Sequence, residues 1–128
     1  MRPALGTMLI PALLLIASLA AAQQPTPVIP DTNAITPAAV DIGRAIFHGK
    51  GTCFMCHGAQ LEGTQVAPTL KAHAWRDAKD GKFEEIFRVA THGVPSTVMV
   101  AFPGGISRTE ALNVASYIWS VNNRKAKP

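Results

Sequence analysis

The hydrophobic pattern divides this chain into an apolar head, a proline-rich polar stretch and a block of helical periodicities. After Thr36-Pro37, apolar or small residues recur at Ala39, Val40, Gly43, Ile46 and Phe47, the spacing of one helical face. Thr36 suits the N-cap and Pro37 the first helical position. Gly49-Lys50-Gly51 should end that helix. A second helix is predicted from Asp80 to His92, with Phe83, Ile86, Phe87 and Ala90 inward and Gly93 as its stop. Ser107-Arg108-Thr109-Glu110 reads as a capping box. It opens a last helix with the stripe Ala111, Val114, Ala115, Ile118 and Val121. The stretch after His57, with Gly58, Gly63 and Pro68, is irregular. So is Val94 to Ile106, punctuated by Pro95, Pro103 and Gly104-Gly105. No strand pattern and no internal repeat emerge, so the fold class is all-α.

The head changes what counts as the domain. Arg2 gives a positive start, Leu9 to Leu19 an apolar run, and Ala20-Ala21-Ala22 a small-residue cleavage site before Gln23. The run falls short of the roughly 20 apolar residues a membrane helix needs, and Pro11 interrupts it. Residues 1–22 therefore read as a secretory signal, with an uncleaved membrane tether as the lesser reading. Prolines at 25, 27, 30 and 37 mark residues 23–37 as an extended linker. That leaves residues 38–128 as one domain in an exported, periplasmic protein.

The whole chain has 12 basic and 8 acidic side chains, a formal charge of +4. Loss of the head removes only Arg2, leaving +3. Arg124-Lys125-Lys127 reads as a solvated basic tail favoured at a helix C-terminus. Nucleic-acid binding is not supported.

The chemistry is concentrated in Cys53-Phe54-Met55-Cys56-His57, which holds both cysteines of the chain. A C-x-x-C-H run reads as a c-type haem attachment site. Thiols three residues apart share a helical face, each placed to form a thioether to a haem vinyl group. His57, turned about 100° further round the helix, can aim its imidazole at the iron. A disulfide across so short a loop would stabilise little and would leave His57 unexplained. A zinc site would need a fourth ligand from His73 or His92, and an adjacent Cys-His pair is unusual for zinc. No further cysteine follows the apolar run, which excludes a lipid-modified one. A small all-α core is marginal by itself, and a buried porphyrin would complete it.

With these residues in place the chain resembles the class I monohaem cytochromes c, in their short bacterial form, from Ala38 to Asn123. The resemblance implies the small cytochrome c fold: N- and C-terminal helices crossing, with loops wrapping one covalently bound haem. Gly43 and Phe47 would meet Tyr117, with Trp119 nearby. The Pro68 carbonyl, in Ala67-Pro68-Thr69-Leu70, would accept a hydrogen bond from His57 Nδ1, although Ala67 replaces the usual Gly. Met99, in Met99-Val100-Ala101-Phe102, would be the second axial ligand. Val100 stands where the family has Pro, which predicts a less rigid loop. His92 is the rival ligand, ahead of His48 and His73; Met8 leaves with the signal and Met55 points away.

The implied function is a soluble periplasmic electron carrier rather than an enzyme. One haem c, attached through Cys53 and Cys56, would cycle its iron between Fe(III) and Fe(II) with His57 and Met99 as ligands. Its partners would be redox proteins: a membrane respiratory or photosynthetic complex, or a periplasmic dehydrogenase. No nucleic acid and no small-molecule substrate are expected. Lys50 and Lys71 would steer an acidic partner, and Trp75 and Arg76 would reach a haem propionate. The rival readings are a ligand-binding or peroxidase-like protein with a displaceable sixth ligand, and a haem subunit of a larger oxidoreductase complex.

Overall fold

The computed structural model describes residues 31–71 and 75–128. The expected signal segment, most of the linker and His73 lie outside the described residues. Among the described residues the secondary structure is helical throughout, with no strand. Four α-helices, α1 (Pro37–His48), α2 (Cys53–His57), α3 (Phe83–His92) and α4 (Arg108–Asn122), are joined by loops and short 3-10 turns.

Local chemistry sets most of the boundaries. Thr36 Oγ1 accepts the Ala39 amide at 3.1 Å, with Pro37 next in line, so α1 starts where its cap stands. At the other end, the Gly49 and Gly51 amides both donate to the Ile46 carbonyl and turn the chain into α2. For α4, Ser107 Oγ accepts the Glu110 amide at 3.2 Å while Glu110 Oε2 accepts the Ser107 amide at 2.7 Å. The second predicted helix starts later than expected, at Phe83 rather than Asp80. Asp80 has φ 56° and Gly81 φ 63°, both left-handed, inside a 3-10 turn over Lys79–Gly81. A side chain at Gly81 would strike the Trp75 indole, so tertiary packing overrides the local pattern there.

Helix α4 is the centre of the molecule. Its most extensive contact is with α1 and its next with α3. A Cβ at Gly43 would run into the Asn113 carbonyl of α4 and crowd Tyr117 Cβ, so the two helices cross in near backbone contact. Phe47 and Tyr117, both fully buried, meet edge-on there with ring centroids 5.5 Å apart. Burial on α4 is wider than its predicted stripe. Ser116, Tyr117 and Ser120 are buried along with Ala111, Val114, Ala115 and Ile118, whereas Val121 is half-buried. A helix packed on two sides hides more than one face. From α3, Phe83, Ile86, Phe87 and Ala90 complete the core.

Candidate haem site

Helix α2 is a single turn projecting both cysteine sulfurs into a cleft. Cys53 and Cys56 are half-buried, His57 is buried and Met55 is 68% exposed. Burial pushes the Cys53 thiol up to about 11, with Cys56 adding to the rise, so at neutral pH it is a protonated, apolar part of the wall. A side chain at Gly51 would press on Cys53 Sγ and on the Ile46 carbonyl, so a residue without Cβ keeps the approach open.

His57 is fixed from below by the loop that follows it. Gly58, with φ 82°, ends α2 and lets the chain double back. The Gly63 amide donates to the His57 carbonyl at 2.7 Å, and Thr64 Oγ1 donates to the Cys56 carbonyl at 2.6 Å. Leu61, fully buried at φ 63°, offers its carbonyl to the Leu70 amide (2.8 Å) and to Thr69 Oγ1 (2.9 Å). Those bonds lay Pro68 beneath the imidazole, and His57 Nδ1 donates to its carbonyl at 2.8 Å. A carbonyl only accepts, so Nδ1 carries the proton and Nε2 keeps its lone pair. Burial holds the His57 pKa below its ordinary value, with the Pro68 hydrogen bond acting against it. The ring is therefore neutral at pH 7, as a metal ligand must be.

Met99 comes from the loop beyond α3 and is half-buried. The Val94 amide donates to the Met99 carbonyl at 2.8 Å, and the Phe102 amide to the Ala90 carbonyl at 2.9 Å. Gly93, at φ 68°, packs so closely on the 99–101 backbone that any side chain would collide with it. The loop is thus tied down on both sides of Met99, with no proline following it.

Cys53, Cys56, His57, Pro68 and Met99 all line one cleft. Phe47, Leu70, Ile86, Val89, Val114 and Ile118 supply much of its apolar wall. Val66, Val98 and Val100 also line it, at 63%, 70% and 59% exposure, and form an apolar rim. Trp75 and Arg76 lie on the lining too, where Arg76 Nε pairs with Asp77 at 3.0 Å. Two thiols, an imidazole lone pair, a thioether sulfur and a greasy wall with one guanidinium are a donor set that fits an iron porphyrin.

Two of the rival histidines, His48 and His92, are placed elsewhere. His48 has Nδ1 2.9 Å from the Arg44 carbonyl and Nε2 2.8 Å from the Ala59 carbonyl, so both nitrogens are engaged. His92 is exposed, is absent from the cleft lining, and directs Nδ1 to Thr91 Oγ1 and the Arg88 carbonyl. Among the described residues no three His, Cys, Asp or Glu side chains converge as a metal site. The two lysines named as steering groups also differ. Lys50 Nζ lies 2.8 and 3.0 Å from the two Glu110 oxygens. Lys71 shares a surface recess with Arg124 and Lys127, and none of the three forms a salt bridge among the described residues. Leu61 and Thr97 escaped the sequence reading: a lone apolar residue and a loop threonine carry no periodic signal.

Residues 38–118 match a family model described as cytochrome c oxidase, cbb3-type, subunit III. No curated protein sequence matches the chain. Cytochrome cL from the marine methylotroph Methylophaga aminisulfidivorans has a similar structure, with TM-score 0.57 and 24% identity over 66% of this chain and 56% of that one. A chain of the reducing HAO-like protein complex of Kuenenia stuttgartiensis gives TM-score 0.58 and 18% identity, covering 68% and 45%. This chain therefore spans about half the length of those two, at 56% and 45%. Cytochrome c6 from the diatom Phaeodactylum tricornutum gives TM-score 0.55 and 27% identity, covering 68% of this chain and 98% of its own.

Proposed function

Because the chain belongs to the cytochrome c family described as subunit III of the cbb3-type cytochrome c oxidase, and so carries a covalent c-type haem for electron transfer, we propose that it is a one-electron carrier with its haem anchored by Cys53 and Cys56 and held between His57 and Met99. The observation that carries this reading is the convergence of all four side chains on one apolar cleft, with His57 Nε2 left free by the Nδ1 bond to Pro68. When bound, the haem supplies exchange of one electron between Fe(III) and Fe(II).

The protein's own part would be to hold the haem between His57 and Met99 against an apolar wall. Pro68 fixes the tautomer and plane of His57, which strengthens it as a ligand. The tied loop keeps Met99 at the cleft, where its sulfur would hold the iron opposite His57 and would deny that position to oxygen or peroxide. Encounter would occur at the rim of Val66, Val98 and Val100, through a small transient interface. Lys71, with Arg124 and Lys127, would orient an acidic redox protein, whereas Lys50 is neutralised by Glu110. A cleaved leader over residues 1–22, as the sequence pattern suggests, would give a periplasmic site of action, and no helix among the described residues is long and apolar enough to cross a membrane.

A second reading, a fixed haem subunit of a larger redox complex, is favoured by the family description and by the Kuenenia neighbour. The carrier reading is tested by exposing the reduced holoprotein to carbon monoxide. No carbonyl adduct and a reversible one-electron titration are expected. A prompt adduct would instead support a displaceable sixth ligand and ligand-binding or peroxidase chemistry.

A further inference from the structure

The Met99 loop has no proline after Met99, and the polar atoms beside it show what restrains its backbone. Val94-Pro95-Ser96-Thr97 forms a reverse turn in which the Thr97 amide reaches the Val94 carbonyl at 3.3 Å. Pro95 occupies the second position, which its fixed φ suits. Ser96 occupies the third at φ 62°, a left-handed conformation that turns of this kind usually give to glycine. Such a turn needs support from outside its own backbone.

Thr97 supplies that support. Its hydroxyl donates to the Val94 carbonyl at 2.8 Å and accepts the Met99 amide at 3.1 Å. The Val94 amide in turn donates to the Met99 carbonyl at 2.8 Å. Turn and Met99 backbone thus form one closed hydrogen-bonded unit with the Thr97 hydroxyl at its centre. The hydroxyl has one proton, and it is committed to Val94, so Thr97 acts on the Met99 main chain and donates nothing to the sulfur. The residue also lines the cleft.

We propose that Thr97 is the positioning residue that holds Met99 as a ligand of the haem iron; this rests on the His57/Met99 ligation proposed above. Valine has the shape of threonine and makes neither bond, whereas serine keeps both. Losing both bonds loosens the Met99 main chain, and a ligand that competes with Met99 reads that loss directly as apparent affinity.

The test uses the full-length holoprotein, wild type with Thr97→Val, Thr97→Ser and Met99→Ala. Two quantities are read on the ferric form: imidazole binding, and the temperature at which the far-red sulfur-to-iron band disappears. Helix melting is followed separately by far-ultraviolet circular dichroism. In Thr97→Val, imidazole should bind about tenfold tighter, and the band should be lost well below the helix transition. Thr97→Ser should stay within about twofold of wild type for the same reason. The proposal is overturned if Thr97→Val binds imidazole as wild type does, if serine fails to rescue, or if band and helices shift together. The underlying reading fails separately, and takes this one with it, if wild type lacks the band or Met99→Ala retains it.

Discussion

Gly43→Ala puts one methyl group at the crossing of α1 and α4, where the structure leaves no room for it. The new Cβ would overlap the Asn113 carbonyl and press on Tyr117 Cβ. The obstructing atoms belong to the α4 main chain, so relief requires one helix to move relative to the other. Overpacking of this kind costs about 1–3 kcal/mol, and a backbone obstacle places it at the upper end. Alanine returns about 1 kcal/mol of helix propensity over glycine, leaving a net loss of about 2 kcal/mol. For a domain of this size that lowers Tm by about 8–16 °C. Thermal unfolding of the holoprotein, followed by circular dichroism, measures the loss. Ala45→Gly, on the exposed side of α1, is the matched control and should cost about 1 kcal/mol. Gly43→Ala equal to wild type, or more stable by the propensity difference, would refute the close helix crossing.

Two more predictions concern charge. The Lys50 ammonium, followed by the Ser107 amide, holds the Glu110 carboxyl below its ordinary value. The unfolded chain therefore binds the proton first. This contribution is present above about pH 4.5 and is lost as pH falls through the lower folded value. Glu110→Gln should accordingly flatten the fall in Tm between about pH 6 and about pH 3; an unchanged acid limb would mean that the pair does not couple to folding. Lys71→Glu with Lys127→Glu should slow oxidation of the reduced protein by anionic hexacyanoferrate(III) several-fold at low salt. The difference should disappear near 1 M salt, where the screening length is about 3 Å. An equally large effect from Lys50→Glu would contradict the division between Lys50, held by Glu110, and Lys71 and Lys127, which form no salt bridge among the described residues.

What the sequence disclosed was mostly what is decided within four residues along the chain. Thr36-Pro37 and the box from Ser107 to Glu110 mark the starts of α1 and α4 because their hydrogen bonds are local. The C-x-x-C-H run is legible for the same reason. The start of α3 is not, since it depends on the Trp75 indole occupying the space beside Gly81. Leu61 is a core residue in a stretch without period, held by bonds to Thr69 and Leu70 that only the folded loop creates. Val100 suggested a looser loop, whereas the bonds of the Thr97 hydroxyl with the Val94 carbonyl and the Met99 amide left no mark in the pattern of the sequence. Lys50 looked as available as Lys71 until α4 brought Glu110 to it, 60 residues further along.

The central claim is that His57 and Met99 occupy both axial positions, and the visible spectrum tests it most directly. The holoprotein and its Met99→Ala variant would be recorded oxidised and then reduced. The account predicts a c-type spectrum in both proteins, with the weak far-red sulfur-to-iron band present in oxidised wild type and gone from the variant. A wild-type spectrum without that band, or a variant that keeps it, would contradict Met99 ligation and return the iron to ligand-binding chemistry or to another ligand.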